Sequence, residues 1–509
     1  MKNIKYIILT LVIIFTSCKK FLEETPYSFK SPSNLLQSEE AANAFIIGVY
    51  DRLSAPNPFA SSFRQGLLIV ANFGTDDFSG KGAANQLYGD FMNYTFNATN
   101  NNLDLIWNNF YSGINQASGI INNIPTAPLK DATKTKIAAE AKFLRALFYF
   151  YLVRMHGGVP LVTKETTSLE DLNTKRASIQ EVYQLIIKDL TEAAPSLPEA
   201  AATVPGRATR GAALALLTKV YLTMGSYGKY KSVAGYEWVN TTEAFKQAVN
   251  EGNKVLSISD YKLVSDYGSI FNPETENGPE IIYSVQMAGD ATISDEGSFL
   301  ANLFAPASIG NMDVSRGGQN HARPTRNLIN KYAATDIIKA WNIANFGYNG
   351  CIEVLQNQSY AAKFRKPCGY NGQHFSTSIN FPLLRLADVM LMVAEAEVEA
   401  NGGVSAPNAI ILVNKLGAIR HSIPPPSPMG NILDFIFDER SRELAYEGQR
   451  WFDLVRTGRL INAVKSTVLS TATTSAPANI KPIHYLYPIP QNEIDNNSAI
   501  NNSDQNPGY

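Results

Sequence analysis

The sequence predicts a mainly α-helical protein with long irregular insertions and minor β structure. Apolar residues recur at helical spacing in three parts of the chain, about 39–53, 103–257 and 383–460. Between them, residues 54–100 and 258–380 are rich in Gly, Asn and aromatic residues and lose that period, apart from short β-like runs such as EIIYSVQM. Irregular stretches of this length are usually functional or disordered, so they are where we expect a binding site.

The helical parts divide into segments that end at ordinary stop signals. Residues 103–123 end before Pro125, and residues 137–156 are apolar nearly all round and stop at Gly157. Further helices are expected over 178–194, 206–225, 241–257, 383–402 and 407–420. The segment over 206–225 is dense in Ala, and its small side chains permit close helix packing. The segments suggest helix hairpins, but their starts give no fixed period of about 34 residues.

The most informative helical stretch is residues 433–459, LDFIFDERSRELAYEGQRWFDLVRTGR. Arg440 and Gly448 lie on the same helix stripe as its apolar residues Leu433, Phe437, Leu444, Trp451 and Val455. Gly448 weakens a helix by about 1 kcal/mol, which favours two helices that meet at a close contact over one rod. An arginine on an apolar face is costly unless a carboxylate meets it, so Arg440 is predicted to be ion-paired. Arg145, within the apolar helix over 137–156, is a second candidate.

Carboxylates in this stretch have a catalytic and a structural interpretation. Glu443 and Glu447 share one helix face, whereas glycosidase carboxylates flank the scissile bond from opposite sides, about 5 to 9.5 Å apart. We therefore favour an ion-paired packing surface, with Arg440, Arg442 and Arg450 as the partners. A second polar stripe, expected between packed helices or toward solvent, is formed by Arg385, Asp388, Glu395 and Glu399.

The N-terminus has the plan of an export signal. Lys2 and Lys5 precede an apolar run over 6–15, which is too short to span a bilayer of about 30 Å, and small residues lead into Cys18. We expect residues 1–17 to be a lipoprotein signal peptide and Cys18 to be acylated. Residues 18–38 would then form a tether to a single domain over 39–509. An ordinary signal peptide with an incidental cysteine is the alternative.

The chain has three cysteines, an odd number for an exported protein. If Cys18 carries lipid, Cys351 and Cys368 remain. A disulfide between them would close a loop of about 17 residues and contribute roughly 3 kcal/mol. Two free thiols are the alternative.

Composition and motifs exclude several classes of function. The formal net charge is −1 and no basic run occurs, so nucleic acid is not an expected partner. The sequence has no G-x-S-x-G, no H-E-x-x-H and five histidines without ligand spacing, so we predict no catalytic residue, metal or cofactor. A binding protein rather than an enzyme is expected.

Five blocks of sequence, in order along the chain, resemble the SusD/RagB family of surface nutrient-binding lipoproteins of Bacteroidetes-type bacteria. They are AEAKFLRALFYFYLVRMHGGVPLV, GRATRGAALALLTKVYL, LLRLADVMLMVAEAEVEANG, ERSRELAYEGQRWFDLVRTGR and YPIPQNEIDNNSAINNSDQNPGY. A cysteine followed shortly by FLEETP is also typical of the family. One departure is Asp336, which Ile337 and Ile338 follow where members often have Asp-x-Arg.

The resemblance implies a SusD-like fold in which helix pairs resemble tetratricopeptide repeats. It implies a lipid anchor on the outer face of the outer membrane and capture of oligosaccharides, or of peptides in some members, for a SusC-like TonB-dependent transporter. The ligand-contacting loops differ among members, so the motifs do not identify the ligand. A surface glycoside hydrolase and a scaffold that binds only proteins are the rival functions.

A ligand surface is expected where the two irregular regions meet. Sugar rings stack on aromatic side chains, and sugar hydroxyls need directional partners such as Asn, Asp and Arg. The candidate ligand-binding residues are Asp76, Asp77, Tyr88, Phe91, Asn93, Tyr94, Phe299, Phe304, Arg316, Asn320 and Arg323. For each aromatic residue, the alternative is that it packs its loop against the core.

Overall fold

The computed structural model describes residues 35–54, 62–80, 88–168, 170–288, 297–306, 321–349, 352–366, 368, 377–404, 406–421, 431–468 and 475–509. In these residues the fold is mainly α-helical, as the sequence predicts. The helices are α1 Glu39–Asp51, α2 Leu67–Asn72, α3 Gly89–Asn93, α4 Asn101–Asn123, α5 Asp131–His156, α6 Ile179–Ala193, α7 Arg210–Tyr230, α8 Thr241–Leu256, α9 Leu300–Phe304, α10 Arg326–Lys331, α11 Ile337–Asn342, α12 Leu386–Ala400, α13 Pro407–Arg420, α14 Ile432–Glu443, α15 Arg450–Arg456, α16 Leu460–Lys465, α17 Ala476–Asn479 and α18 Gln491–Asn496. Among the described helices, none combines the length and the apolar character that a bilayer span requires.

The long helices pack against one another in pairs. α4 contacts α5, α5 contacts α6, α7 contacts α8, and α12 contacts both α8 and α13. Small residues allow close approach at these contacts, since a Cβ on Gly252 of α8 would lie 2.2 Å from Val393 of α12. A Cβ on Gly225 of α7 would lie 2.6 Å from Phe245 of α8. The close packing predicted for the Ala-rich segment is therefore confirmed.

Two helices begin later than the sequence predicts. α7 begins at Arg210 rather than at residue 206, because the Thr209 hydroxyl caps the backbone N–H of Ala212 at 3.0 Å. The segment expected to be helical from residue 383 starts instead as a strand, and its helix begins at Leu386. Alternating apolar residues before Leu386 suit either structure, so periodicity did not separate the two.

Six described strands form three antiparallel pairs. The strands are β1 Phe78–Gly80, β2 Ile281–Val285, β3 Ala322–Pro324, β4 Ile343–Asn349, β5 Ile352–Ala361 and β6 Phe381–Arg385, and the pairs are β1–β3, β2–β6 and β4–β5. β2 confirms the β-like run predicted over 280–287. The β1–β3 pair joins the two irregular regions, because one strand comes from each.

The region over 54–100 is less irregular than its sequence suggests. Residues 62–72 form a π-helical turn that continues into α2, and every residue of α2 is buried. Residues 67–71 are all apolar and form little more than one turn, so no periodic pattern could mark them.

The C-terminal block is two helices rather than one. α14 ends at Glu443 and α15 begins at Arg450. Between them Tyr446 and Gly448 have φ of 72° and 67°, the left-handed region that ends a helix. Tyr446 is fully buried, with its ring centroid 4.4 Å from that of Phe78. The turn between the helices therefore lies directly beneath β1.

Candidate ligand-binding face

The two carboxylates that suggested catalysis are ion-paired inside the protein. Arg385 donates to Glu443 at 2.9 Å and to both oxygens of Glu447 at 2.7 and 2.8 Å. Arg420 also pairs with Glu443, and Lys363 contacts Glu447 at 2.6 Å. Burial alone would raise the pKa of Glu443, but Arg420 and Arg385 outweigh it and hold that pKa below its usual range. These contacts confirm the ion-paired packing surface.

The partners differ from the three arginines that the sequence suggested. Arg440 pairs with Asp388 and Asp453, each at 2.9 Å, and Arg450 pairs with Asp76 at 2.6 Å. Arg442 pairs with Glu439 on its own helix, whereas the partners of Arg440 and Arg450 lie on other elements that local spacing does not identify. The polar stripe of α12 lies between packed helices, where its members meet Lys219, Lys229, Arg440, Arg456, Glu280, Glu443 and Glu447.

The second predicted buried arginine is also confirmed as ion-paired. Arg145 donates through Nε and Nη2 to the two carboxylate oxygens of Asp189, both at 2.8 Å. This two-point contact joins α5 to α6 inside the core.

The two irregular regions contact each other at several points. The Asp77 carbonyl accepts from the Thr325 N–H at 3.0 Å, next to the β1–β3 pair. Arg64 Nε donates to the Gly297 carbonyl at 2.5 Å, and the Tyr88 hydroxyl lies 3.4 Å from His321 Nδ1. The meeting of the two regions, which the ligand-surface prediction requires, is therefore present.

Five of the candidate aromatic residues lie in the core. Tyr88, Phe91, Tyr94, Phe299 and Phe304 are each no more than 5% exposed. The Tyr88 ring stacks on Phe73 with centroids 4.9 Å apart, and the Tyr94 hydroxyl donates to the Gly74 carbonyl at 2.9 Å. They pack their segments against the core, which was the alternative interpretation. A direct ligand contact by any of them stays a prediction.

The candidate polar residues hold the same region in place. Asp76 pairs with Arg450, and Asp77 accepts from the Ser441 hydroxyl at 2.7 Å. Asn93 donates to Gly89 of its own helix at 2.9 Å, and Arg323 donates to the Gln358 amide oxygen at 3.0 Å. Two further candidates, Arg316 and Asn320, lie outside the described residues, as do Cys18 and Cys351. Cys368 is disulfide-bonded, and its pairing with Cys351 stays a prediction.

A polar cleft opens beside this junction, where β5 is longer than its partner strand. The pairs Ala344–Tyr360 and Phe346–Leu355 are two residues apart on β4 but five apart on β5. The extra β5 residues bulge toward α10 and leave a cleft of about 460 Å³. The lining residues are Arg326, Ile329, Asn330, Asn345, Gln356, Asn357, Gln358 and Ser359. Arg323 adjoins the cleft through its hydrogen bond to Gln358.

Sequence reasoning missed this cleft, although a signal was present. Gln356, Asn357 and Gln358 are three successive amides, which would alternate between the two faces of a regular strand. Only the bulge brings all three side chains to one opening, and the alternation of residues in the sequence does not show where a bulge occurs.

A second cleft, of about 420 Å³, lies between the end of α1, β2 and residues 205–207. Its arginine is already satisfied, because Arg207 donates to both oxygens of Glu140, at 2.6 and 2.9 Å, and to Asn43. The cleft beside β5 has more polar groups left for a ligand, since Asn330 and Asn357 are exposed and make no side-chain hydrogen bond within the described structure.

The sequence matches two family models over most of its length. Residues 20–222 match a SusD-like family described as starch-binding and associating with the outer membrane, and residues 348–509 match the SusD family. The chain belongs to the SusD/RagB family.

Individual relatives agree with that membership over the whole chain. SusD-like protein P25 of Formosa agariphila is 26% identical over 560 residues, covering 100% of both chains. A solved SusD homologue from Bacteroides thetaiotaomicron has a TM-score of 0.80 at 24% identity, covering 94% of this chain and 98% of that one. A laminarin-binding SusD-like protein has a TM-score of 0.73 at 25% identity, covering 93% of this chain and 100% of that one.

In this SusD/RagB protein Asp336, which is followed two residues later by Ile338 instead of the expected arginine, has a structural partner. Asp336 Oδ1 lies 3.2 Å from His421 Nδ1, and His421 Nε2 lies 2.9 Å from the Glu439 carboxylate. Asp336 immediately precedes α11, which runs directly into β4 at Ile343. The histidine therefore connects α13 and α14 to the segment that supports the cleft.

His421 should make stability depend on pH near neutrality. Burial alone would lower its pKa, but the hydrogen bond and charge of Glu439 outweigh burial and the opposing charge of Arg442, so the pKa is raised. A raised folded-state pKa gives a stabilisation that is fully present below the unfolded-state pKa of about 6.5 and is lost as pH rises through the folded-state value. We therefore expect His421→Gln to lower the melting temperature more at pH 6 than at pH 8.5.

The measurement is the difference in melting temperature between wild type and His421→Gln across that pH range. Glu276 also affects stability in this range, because burial raises its pKa to about 7. Its contribution is common to both proteins and cancels in the difference. A difference that does not change with pH would mean that His421 is not protonated between its two carboxylates.

Proposed function

We propose that this SusD/RagB protein is a lipid-anchored binding protein of the outer cell surface that captures oligosaccharides and delivers them to a SusC-like TonB-dependent transporter. The observation that carries the proposal is the amide-lined cleft beside the junction of the two irregular regions, in a chain of this family. Exposed amides both donate and accept, which suits the many hydroxyls of a sugar chain. The laminarin-binding relative supports a glycan as the cargo.

The proposed division of labour follows the chain. Residues 1–17 would direct export, Cys18 would carry the lipid, and residues 18–38 would form the tether to one domain over 39–509. In that domain the buried candidates, such as Asp76 and Tyr88, would position the binding face. The cleft residues, together with Arg316, Asn320 and Arg323, would contact the sugar. The ion-paired state of Glu443 and Glu447 supports binding without turnover.

The first test is a binding screen with product analysis in the same samples. Soluble protein lacking residues 1–18 is mixed with polysaccharides, oligosaccharides and peptides. Retention on a glycan class without new products is the expected result. Selective retention on peptides would favour the peptide-binding alternative, and new products would identify an enzyme. If neither this protein nor its co-purified complex with the transporter bound any glycan or peptide, the proposal would fail.

Once a glycan is known, the cleft itself can be tested. Replacing Asn330 and Asn357 together with alanine removes two exposed amides that support no described side-chain contact. A hydrogen bond is worth about 0.5–1.5 kcal/mol, so affinity is expected to fall by about tenfold or more while the melting temperature is unchanged. Asn253→Ala, at an exposed position on α8, is the control. Unchanged affinity in the double variant would place the ligand elsewhere.

A further inference from the structure

The cleft beside β5 has an unbalanced charge. Among its eight lining residues only Arg326 is charged, and no carboxylate is present. The other polar groups are five amides and one hydroxyl, which carry no net charge. A ligand in this cleft therefore meets a positive field from the Arg326 guanidinium, to which the adjoining Arg323 adds, and this field favours a negative group on the ligand.

The guanidinium of Arg326 is exposed and makes no ion pair or hydrogen bond within the described structure. Its backbone is nonetheless fixed, because the Arg326 N–H donates to the Val468 carbonyl at 2.9 Å. The preceding Thr325 caps α10 by accepting from the Leu328 N–H at 3.2 Å. The charge is thus carried on a backbone position that is well defined.

Two nearby cations, Lys331 and Arg365, contrast with Arg326, because both have partners. Lys331, at the end of the same helix, pairs with Asp77 at 3.0 Å and with Asp76. Arg365 donates to backbone carbonyls and lies over the Trp341 ring at 4.5 Å. The fold thus satisfies the neighbouring cations and leaves the Arg326 guanidinium to solvent at the cleft.

Arg326 is also placed so that amides can act with it. Asn330 lies four residues further along α10 and so shares a helix face with Arg326, and both line the cleft. Gln356 and Asn357 line the cleft from the bulge of β5. A guanidinium binds planar or tetrahedral oxyanions through two parallel N–H groups, whereas amides suit the hydroxyls beside them.

We propose that the cleft selects glycans that carry an anionic group, a uronate carboxylate or a sulfate ester, and that Arg326 binds that group. This inference rests on the proposed glycan-binding function and specifies its substrate class. A neutral sugar chain gains at most ordinary hydrogen bonds from Arg326, whereas an anionic group also gains the attraction of its charge, so Arg326 mainly sets specificity.

The test compares matched acidic and neutral probes by calorimetry. The probes are oligogalacturonate, the same oligomer with its carboxyl groups reduced, a sulfated galactan oligosaccharide and its desulfated form. The proteins are wild type, Arg326→Gln, Arg326→Lys and the control Arg210→Gln, whose arginine forms an exposed ion pair with Glu199. Melting temperatures of all variants should equal that of wild type.

We expect wild type to bind one acidic probe at least tenfold more tightly than its neutral counterpart. Arg326→Gln should remove that preference by lowering affinity for the acidic probe much more than for the neutral probe, and Arg326→Lys should keep part of it. The preference should weaken between about 20 and 300 mM NaCl, because salt screens an exposed charge. Whether the carboxylate or the sulfate pair shows the effect identifies the anionic group.

Equal binding of acidic and neutral probes would overturn the inference and leave the proposed function standing. An acidic preference that survives in Arg326→Gln would also overturn it, because the selecting cation would then be another residue. If none of these probes bound but a different neutral glycan did, the inference would fail in the same way. Failure to bind any glycan would instead count against the proposed function.

Discussion

Replacing Arg385 with methionine is expected to destabilise the protein by roughly 3–5 kcal/mol. Arg385 is 1% exposed and contacts Glu280, Glu443 and Glu447 at 2.7 to 2.9 Å. Together with Arg420 and Lys363, these residues form a buried group of three cations and three carboxylates. Without Arg385, Arg420 still contacts Glu280 and Glu443, and Lys363 still contacts Glu447, but three buried carboxylates then face only two cations. Methionine fills the space without restoring the lost charge.

The measurement is urea unfolding of wild type and Arg385→Met at pH 7. Arg210→Met is the matched control, because its ion pair with Glu199 leaves both side chains 48% exposed and should contribute little. Adding Glu447→Gln to Arg385→Met removes the excess negative charge and should recover part of the loss. A loss of less than about 1 kcal/mol for Arg385→Met would mean that the remaining cations rearrange to satisfy all three carboxylates.

Replacing Asp76 with alanine should weaken both the fold and ligand binding. Asp76 accepts from Arg450 Nε at 2.8 Å and Nη2 at 2.6 Å, and Lys331 lies 3.4 Å away. Burial opposes the charged form, but Arg450 and Lys331 outweigh it and hold the pKa of Asp76 well below its usual range. A depressed carboxylate pKa gives stability that is present above the unfolded-state pKa of about 3.9 and is lost as pH falls.

We expect Asp76→Ala to cost roughly 3 kcal/mol at pH 7, with the loss becoming smaller toward pH 3. Asp76 immediately precedes the segment that pairs with β3, so glycan affinity should fall as well, even at temperatures where the variant is folded. The control is Asp434→Ala, whose side chain is 54% exposed and pairs with Arg459. If folded Asp76→Ala bound glycan with the affinity of wild type, glycan binding would not depend on this ion pair.

The sequence was sufficient for the helices and for the buried state of their arginines. Helix stops such as Gly157, and the costly placement of Arg145 and Arg440 on apolar faces, depend on local chemistry that a single chain displays. Residues of this kind were therefore predicted together with their burial. The two-helix interpretation at Gly448 was right for the same reason, because the glycine is a local signal.

The binding face was harder to predict, because it depends on contacts between distant segments. Tyr88 and Phe304 have the residue types expected of a sugar platform, yet composition does not say which way a side chain points, and both are buried. Arg440 needed a carboxylate, but only the packing of α12 and α15 decided that Asp388 and Asp453 would supply it. The β5 bulge exists only in the pairing of β5 with β4. The spacing of the three amides in the sequence therefore does not show that they share one opening.

The buried ion pairs also constrain how such a protein can change over generations. A single replacement that removes the charge of Arg385, Glu443 or Glu447 leaves the buried group unbalanced, so such changes need coordinated substitutions that are individually disfavoured. An exposed amide such as Asn357 carries no such obligation and can be exchanged freely. A lineage could therefore acquire a new ligand through a few surface substitutions while the sequence of its charged interior stayed nearly the same. The interior sequence therefore identifies the family, and for the same reason it does not identify the ligand.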